Sequence, residues 1–200
     1  PGFEIPSRYF RFVRDGDARP LEAVLEHNRL DLLSLALVTA HAIELIERGP
    51  SSAVHVHECL GLGRVYERAG RPEDAEACYL RAAEWTARTG LESFARADAL
   101  MRLAVCRRRA GRLAEAADAW RELADLAGCP AALRREAREA LAIHYEHRVR
   151  DLNRARHLAL ELLAESGHGR WRTSVEHRLE RLERKQQARA RGGLMMVLED

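Results

Sequence analysis

The sequence predicts an all-α chain: an array of helical hairpins preceded by two further helices. Three observations carry that reading. Ala, Leu, Arg and Glu dominate and aromatic residues make up only 6%, a composition that favours helices. Glycines and prolines divide the chain into helix-length blocks, at Gly16, Gly49-Pro50, Gly70, Gly90, Gly111, Gly128, Pro130, Gly167 and Gly169. No block alternates apolar and polar residues with period two over a useful length, so no strand is predicted.

Composition also excludes some function classes. Two hundred residues suffice for one large or two small domains with a real core. The net charge of +2 gives no whole-chain argument for nucleic acid. Lys185 is the only lysine among 33 basic residues, which reads as a compositional bias. The four cysteines, Cys59, Cys78, Cys106 and Cys129, form no C-x-x-C pair. Buried free thiols in a reducing compartment, the cytoplasm, are expected. The longest apolar run, Leu32 to Ala40, is far shorter than the ~20 residues a membrane span needs, so no membrane partner is expected. The chain opens at Pro1-Gly2 without an initiator Met, and it reads as the C-terminal piece of a longer protein.

The elements follow in order. Pro1–Pro6 is a loop. Ser7 is placed to cap a short helix, Arg8 to Asp15, which Gly16 ends. A second helix starts near Pro20 and runs to Arg48. From Leu30 to Ile46 it is apolar on almost every face, so burial on both sides is expected, between a preceding domain and the array. If that domain is missing, the exposed apolar surface predicts self-association.

The array is read from a repeat. Cys59-Leu60-Gly61-Leu62-Gly63-Arg64-Val65-Tyr66, Gly70, Ala75, Tyr79 and Ala82 align with residues 41 positions later: Leu100-Met101-Arg102-Leu103-Ala104, Gly111, Ala116, Trp120 and Leu123. Small residues (Gly63, Ala104, Ala75, Ala116) let two helices approach closely. Tyr79 and Trp120 fill the space between them, and Gly70 and Gly111 make the turns. This pattern resembles the tetratricopeptide repeat, whose usual period is ~34 residues. The longer spacing predicts extended helices, with the extra residues around Glu84–Phe94. A third, degenerate copy sets Tyr145 against Tyr66 and Ala155 against Ala75, with one extra residue in the turn and Asp151 in place of the turn glycine. A last helix, about Trp171 to Ala190, carries Trp171, Val175, Leu179 and Leu182 on one stripe and charge elsewhere, as a capping helix does. Gly192-Gly193 and the residues after them are expected to fray.

His27 and Asp31 carry the chemistry. Four residues apart on a helix, they share one face. An imidazole can orient or deprotonate water, and a carboxylate can hold a divalent metal. Their surroundings add specificity: Gly2-Phe3-Glu4-Ile5-Pro6-Ser7-Arg8-Tyr9-Phe10, Gly16-Asp17, Leu21, Val24, His27-Asn28 and Asp31-Leu32-Leu33-Ser34-Leu35-Ala36. These residues together resemble the YprB-like ribonuclease H-like proteins of bacteria, a branch of the DEDD-type 3′–5′ exonucleases. The resemblance covers Pro1 to about Glu44, and some members have a similar helical, repeat-like tail. It implies that Asp31 is the last metal-ligating carboxylate and that His27 takes the general-base position, with Mg²⁺ or Mn²⁺ as cofactor and nucleic acid as substrate. It also implies earlier carboxylate motifs, a D-x-E on a strand and a later Asp, that this chain lacks. The piece alone should then be inactive. One departure stands out: family members with this three-residue gap usually carry Tyr at the position of His27.

Other clusters read as structural. His55, His57 and Cys59 diverge on a helix. His144, His147 and His157 lack a clear acidic or thiol partner for a metal. Arg107–Arg109 and Arg134, Arg135 and Arg138 interleave with Glu115, Glu122, Glu136 and Glu139, as on a salt-bridged solvated face. The expected organisation is residues 1–48 as the end of an RNase H-like exonuclease domain, 51–190 as repeats with a capping helix, and 191–200 as a tail. The alternative is a tetratricopeptide-type scaffold for a protein or peptide partner, with a vestigial nuclease motif.

Overall fold

The computed structural model describes residues 2–89, 93–165 and 170–197, with side chains described for 3–86, 93–165 and 171–189. Among the described residues there are nine α-helices and no strand. The chain divides into two compact units, Pro1–Ser52 and Ala53–Asp200.

In the first unit a 3-10 turn, Gly2–Glu4, leads into α1 (Ile5–Asp15) and α2 (Arg19–Arg48), and a second 3-10 turn, Pro50–Ser52, follows. Helix α1 begins earlier than Ser7 predicts, because Pro6 fits the first helical turn. The Ser7 hydroxyl therefore does not cap; it donates to the Glu4 carbonyl at 2.8 Å. Gly16 ends the helix with φ 72°, and its N–H donates to the Phe12 carbonyl at 2.8 Å. Pro20 sits in the first turn of α2. Just before it, the Asp17 carboxylate accepts the Arg19 N–H at 3.1 Å. Neither helix buries a residue. The stretch Leu30–Ile46, expected to be covered on both sides, is open: Leu37 is 72% and Val38 66% exposed. A helix apolar all round needs neighbours all round, and within its unit α2 packs on the eleven-residue α1.

The second unit is a stack of hairpins: α3 (Val56–Arg68) with α4 (Pro72–Thr89), α5 (Ser93–Arg109) with α6 (Leu113–Asp125), and α7 (Ala131–His144) with α8 (Leu152–Glu165). Helix α9 (Arg170–Val197) closes the stack against α8. Each helix packs on its sequence neighbours, and the first helices of adjacent hairpins also touch, α3 with α5 and α5 with α7. Ala75, Ala104, Ala116 and Ala155 are buried at the crossings, with Tyr79 and Trp120 between the helices. Gly70 and Gly111 turn the chain with φ 71° and 78°, a left-handed conformation that favours glycine.

The long period is taken up by long helices, 18 residues in α4 and 17 in α5. Gly90, Gly167 and Gly169, read as turn residues, lie outside the described residues. The third hairpin differs from its prediction. The extra residue is absorbed by a π-helical turn, Tyr145–Val149, and Arg150, not Asp151, takes the left-handed position with φ 60°. Asp151 instead caps α8, accepting the Arg154 N–H at 2.9 Å. Val175, Leu179 and Leu182 of α9 are buried. The backbone of α9 stays helical past Ala190 to Val197, through Gly192-Gly193, where fraying is expected from the sequence.

Arginine–carboxylate pairs lace the hairpins together. Arg64 meets Asp98 at 2.6 Å, Arg109 meets Glu67 at 2.6 Å and Arg107 meets Glu76 at 3.1 Å. Arg138 pairs with Glu161 and Glu165. The arginine clusters are thus salt-bridged, but mostly to carboxylates on neighbouring helices. Arg108 and Arg135 instead lie over the Trp120 and Trp171 rings.

Candidate functional site

Glu26 and Arg29 form a two-pronged pair at 2.6 and 2.7 Å. Between and beyond them, one turn apart, His27 Nε2 stands 3.5 Å from Asp31 Oδ2. Their side chains are 74% and 66% exposed. The i, i+4 spacing brings both groups to one face, as the sequence predicts. Around them Leu30, Leu32, Leu33 and Leu35 are exposed, so the polar pair sits within an apolar surface.

This arrangement offers a proton acceptor beside a carboxylate in open solvent. It offers only two donors to a metal. Among the described residues, no three His, Cys, Asp or Glu side chains gather closely enough to hold an ion. The residues present therefore do not fit a two-metal centre by themselves.

The other histidines are not brought together. His55 precedes α3 in extended backbone, where the Glu58 carboxylate accepts its N–H at 3.3 Å and that of Val54 at 2.7 Å. Cys59 is buried, and burial pushes its thiol up. His147 pairs with Glu146 at 3.6 Å and His157 with Glu161 at 3.3 Å.

The residue that sequence reasoning missed is Glu146. Its side chain is fully buried in the π-helical turn. It accepts two hydrogen bonds from Arg181 at 2.9 Å and one from Lys185 at 2.7 Å, with Arg178 at 3.4 Å. Burial alone would raise its pKa, but the Arg181 and Lys185 hydrogen bonds outweigh that and hold it down at about 2. Arg178, Arg181 and Lys185 recur at helical spacing along α9, a visible stripe whose acidic partner lies more than thirty residues upstream. The knot clamps the capping helix to the third hairpin.

Comparison with known proteins matches two separate segments of the chain. Residues 1–43 match the RNase_H superfamily, and residues 56–127 match the tetratricopeptide repeat family. The first match contains His27 and Asp31; the second spans α3 to α6. Tetratricopeptide repeats suggest protein–protein interaction. Among the described residues, no helix is long and apolar enough to cross a membrane. No curated protein and no solved structure matches the chain at a significant level.

Proposed function

From a chain that joins an RNase_H superfamily segment to tetratricopeptide repeats, we infer that the protein works as part of a metal-dependent 3′–5′ exonuclease of the RNase H-like class. The observation that carries this reading is the His27–Asp31 pair, 3.5 Å apart on an open face of α2 inside the matched segment. In this reading His27 orients the attacking water or takes its proton. Asp31 contributes one carboxylate toward Mg²⁺ or Mn²⁺. The substrate is a DNA or RNA strand, and the setting is the cytoplasm. Two donors do not complete such a site, so in this reading further carboxylates join Asp31 in holding the metals. The test is Asp31→Ala in the full-length protein with Mg²⁺ or Mn²⁺ supplied. Degradation of a single-stranded oligonucleotide is expected to fall by roughly 100-fold or more. Undiminished degradation would sink the assignment.

A second reading rests on the repeat match at residues 56–127. There the array is a scaffold for a protein or peptide partner, and the His27–Asp31 pair is vestigial. Stacked hairpins give an extended surface suited to such partners. It is favoured if the full-length protein, with its native Asp31, degrades no oligonucleotide in either metal.

A further inference from the structure

At the start of α8 the backbone does something the repeat does not require. The corresponding turns of the first two hairpins use Gly70 and Gly111 in the left-handed region, whereas the third uses Arg150, with φ 60°. A residue with a Cβ is disfavoured there. The arginine stands at the mouth of an open cleft of about 950 Å³ between the first turns of α8 and the α9 face carrying Gln186 and Arg189. Arg156 and His157 also line it.

Two of the arginines lining this cleft, Arg150 and Arg189, are left without an acidic partner among the described residues. Arg189 Nη1 donates to the Arg150 backbone carbonyl at 3.3 Å, and both residues line the cleft. Among the described residues, neither has a carboxylate within ion-pair distance. Arg156, by contrast, is paired with Glu183 at 3.4 Å. Asp151, the acid in the lining, is turned to its own helix, where it accepts the Arg154 N–H at 2.9 Å and pairs with the Arg154 side chain. The cleft beside α4 and α5 provides the contrast. Its Arg112 is held by Glu76, which also holds Arg107, so its charge is spent within the fold.

We propose that the α8–α9 cleft, through Arg150 and Arg189, binds the phosphodiester backbone of single-stranded nucleic acid. Guanidinium forks match phosphate oxygens in pairs. No Phe, Tyr or Trp is among the described lining residues, so no base-stacking platform is offered and recognition is independent of base sequence. The choice of a nucleic-acid strand over an acidic peptide rests on the exonuclease reading; the anion site itself does not.

The test measures anisotropy of a fluorescein-labelled oligothymidylate with the whole chain in EDTA, so that no metal-dependent cleavage intervenes. Arg150→Gly and Arg189→Gln are each expected to weaken binding by about 3–10-fold and to reduce the salt slope by about 1. Arg150→Gly should leave the thermal midpoint unchanged or raise it, since glycine suits that backbone; loss of binding is then not loss of fold. Wild-type affinity in both variants would overturn the proposal. Equal displacement by oligoglutamate would also overturn it, in favour of an acidic protein partner. Failure of the exonuclease reading would appear only in the degradation assay, and failure of the cleft only in the anisotropy.

Discussion

A Cβ placed on Gly63 would lie 2.5 Å from Cε1 of Tyr79, closer than side chains pack. The Tyr79 ring is fully buried, and its hydroxyl donates to Glu67 Oε2 at 3.1 Å. The ring is pinned at both ends and has little room to retreat. Gly63→Ala gains roughly 1 kcal/mol of helix propensity, but overpacking of this kind costs about 1–3 kcal/mol. A net loss of about 1 kcal/mol in urea unfolding is expected. A stabilised Gly63→Ala variant would mean that the α3–α4 crossing is looser than this contact implies.

That contact was legible in the sequence as a small residue and an aromatic repeated at one offset. The same offset located Gly70, Gly111 and the buried alanines. Local rules sufficed, because each hairpin closes on residues near in sequence. The pairing of His27 with Asp31 was legible for the same reason, since helical spacing alone sets it. The rest depended on distance. Glu146 lies 35 residues from Arg181 and 39 from Lys185, and neither periodicity nor composition joins them. The π-helical turn was visible only as an extra residue, and placing Asp151 in the turn overlooked its value as a cap. Apolar periodicity in α2 shows what the helix wants covered, not what covers it.

His27 and Asp31 are expected to be dispensable for folding. Both are exposed and each touches the other at only 3.5 Å, and exposed pairs of this kind contribute about 0.5 kcal/mol or less. His27→Ala and Asp31→Ala should leave the urea midpoint of the chain unchanged. A large destabilisation would point to a structural role and weaken any reading of lost activity as lost chemistry.

The thiols should be silent in the native state. All four cysteines are free and buried. Burial, reinforced by the nearby Cys59 and the Asp74 carboxylate, pushes the Cys78 thiol up to about 12. The thiolate is the reactive form, so alkylation by iodoacetamide at pH 8 should be slow in buffer and complete in urea. Rapid native-state labelling of Cys78 would show that the α3–α4 core opens readily.

The apolar face of α2 predicts association of the isolated chain. Leu32, Leu35, Leu37 and Val38 are each at least 60% exposed, and exposed apolar side chains of this kind mark association surfaces. Light scattering should report a mass that rises with concentration. Leu35→Gln with Val38→Gln should reduce it. A constant monomer mass at high concentration would contradict this.

Acid should loosen the capping helix through Glu146. Its folded pKa of about 2 lies below the ordinary value of 4.5. A depressed carboxylate adds stability that is complete above the unfolded value and is lost as pH falls through the folded one. The window is therefore about pH 4.5 down to 2. Arg181 and Lys185 are each about two-fifths exposed, so solvent screening trims the contribution to on the order of 2 kcal/mol. Glu146→Gln should lose that stability at neutral pH, since the three cations keep their charge and lose their counter-ion. Its unfolding free energy should then fall less than the wild type's between pH 4.5 and 2. Parallel pH profiles for the two proteins would show that other carboxylates govern acid sensitivity, and that the knot at the π-helical turn contributes little to holding α9 in place.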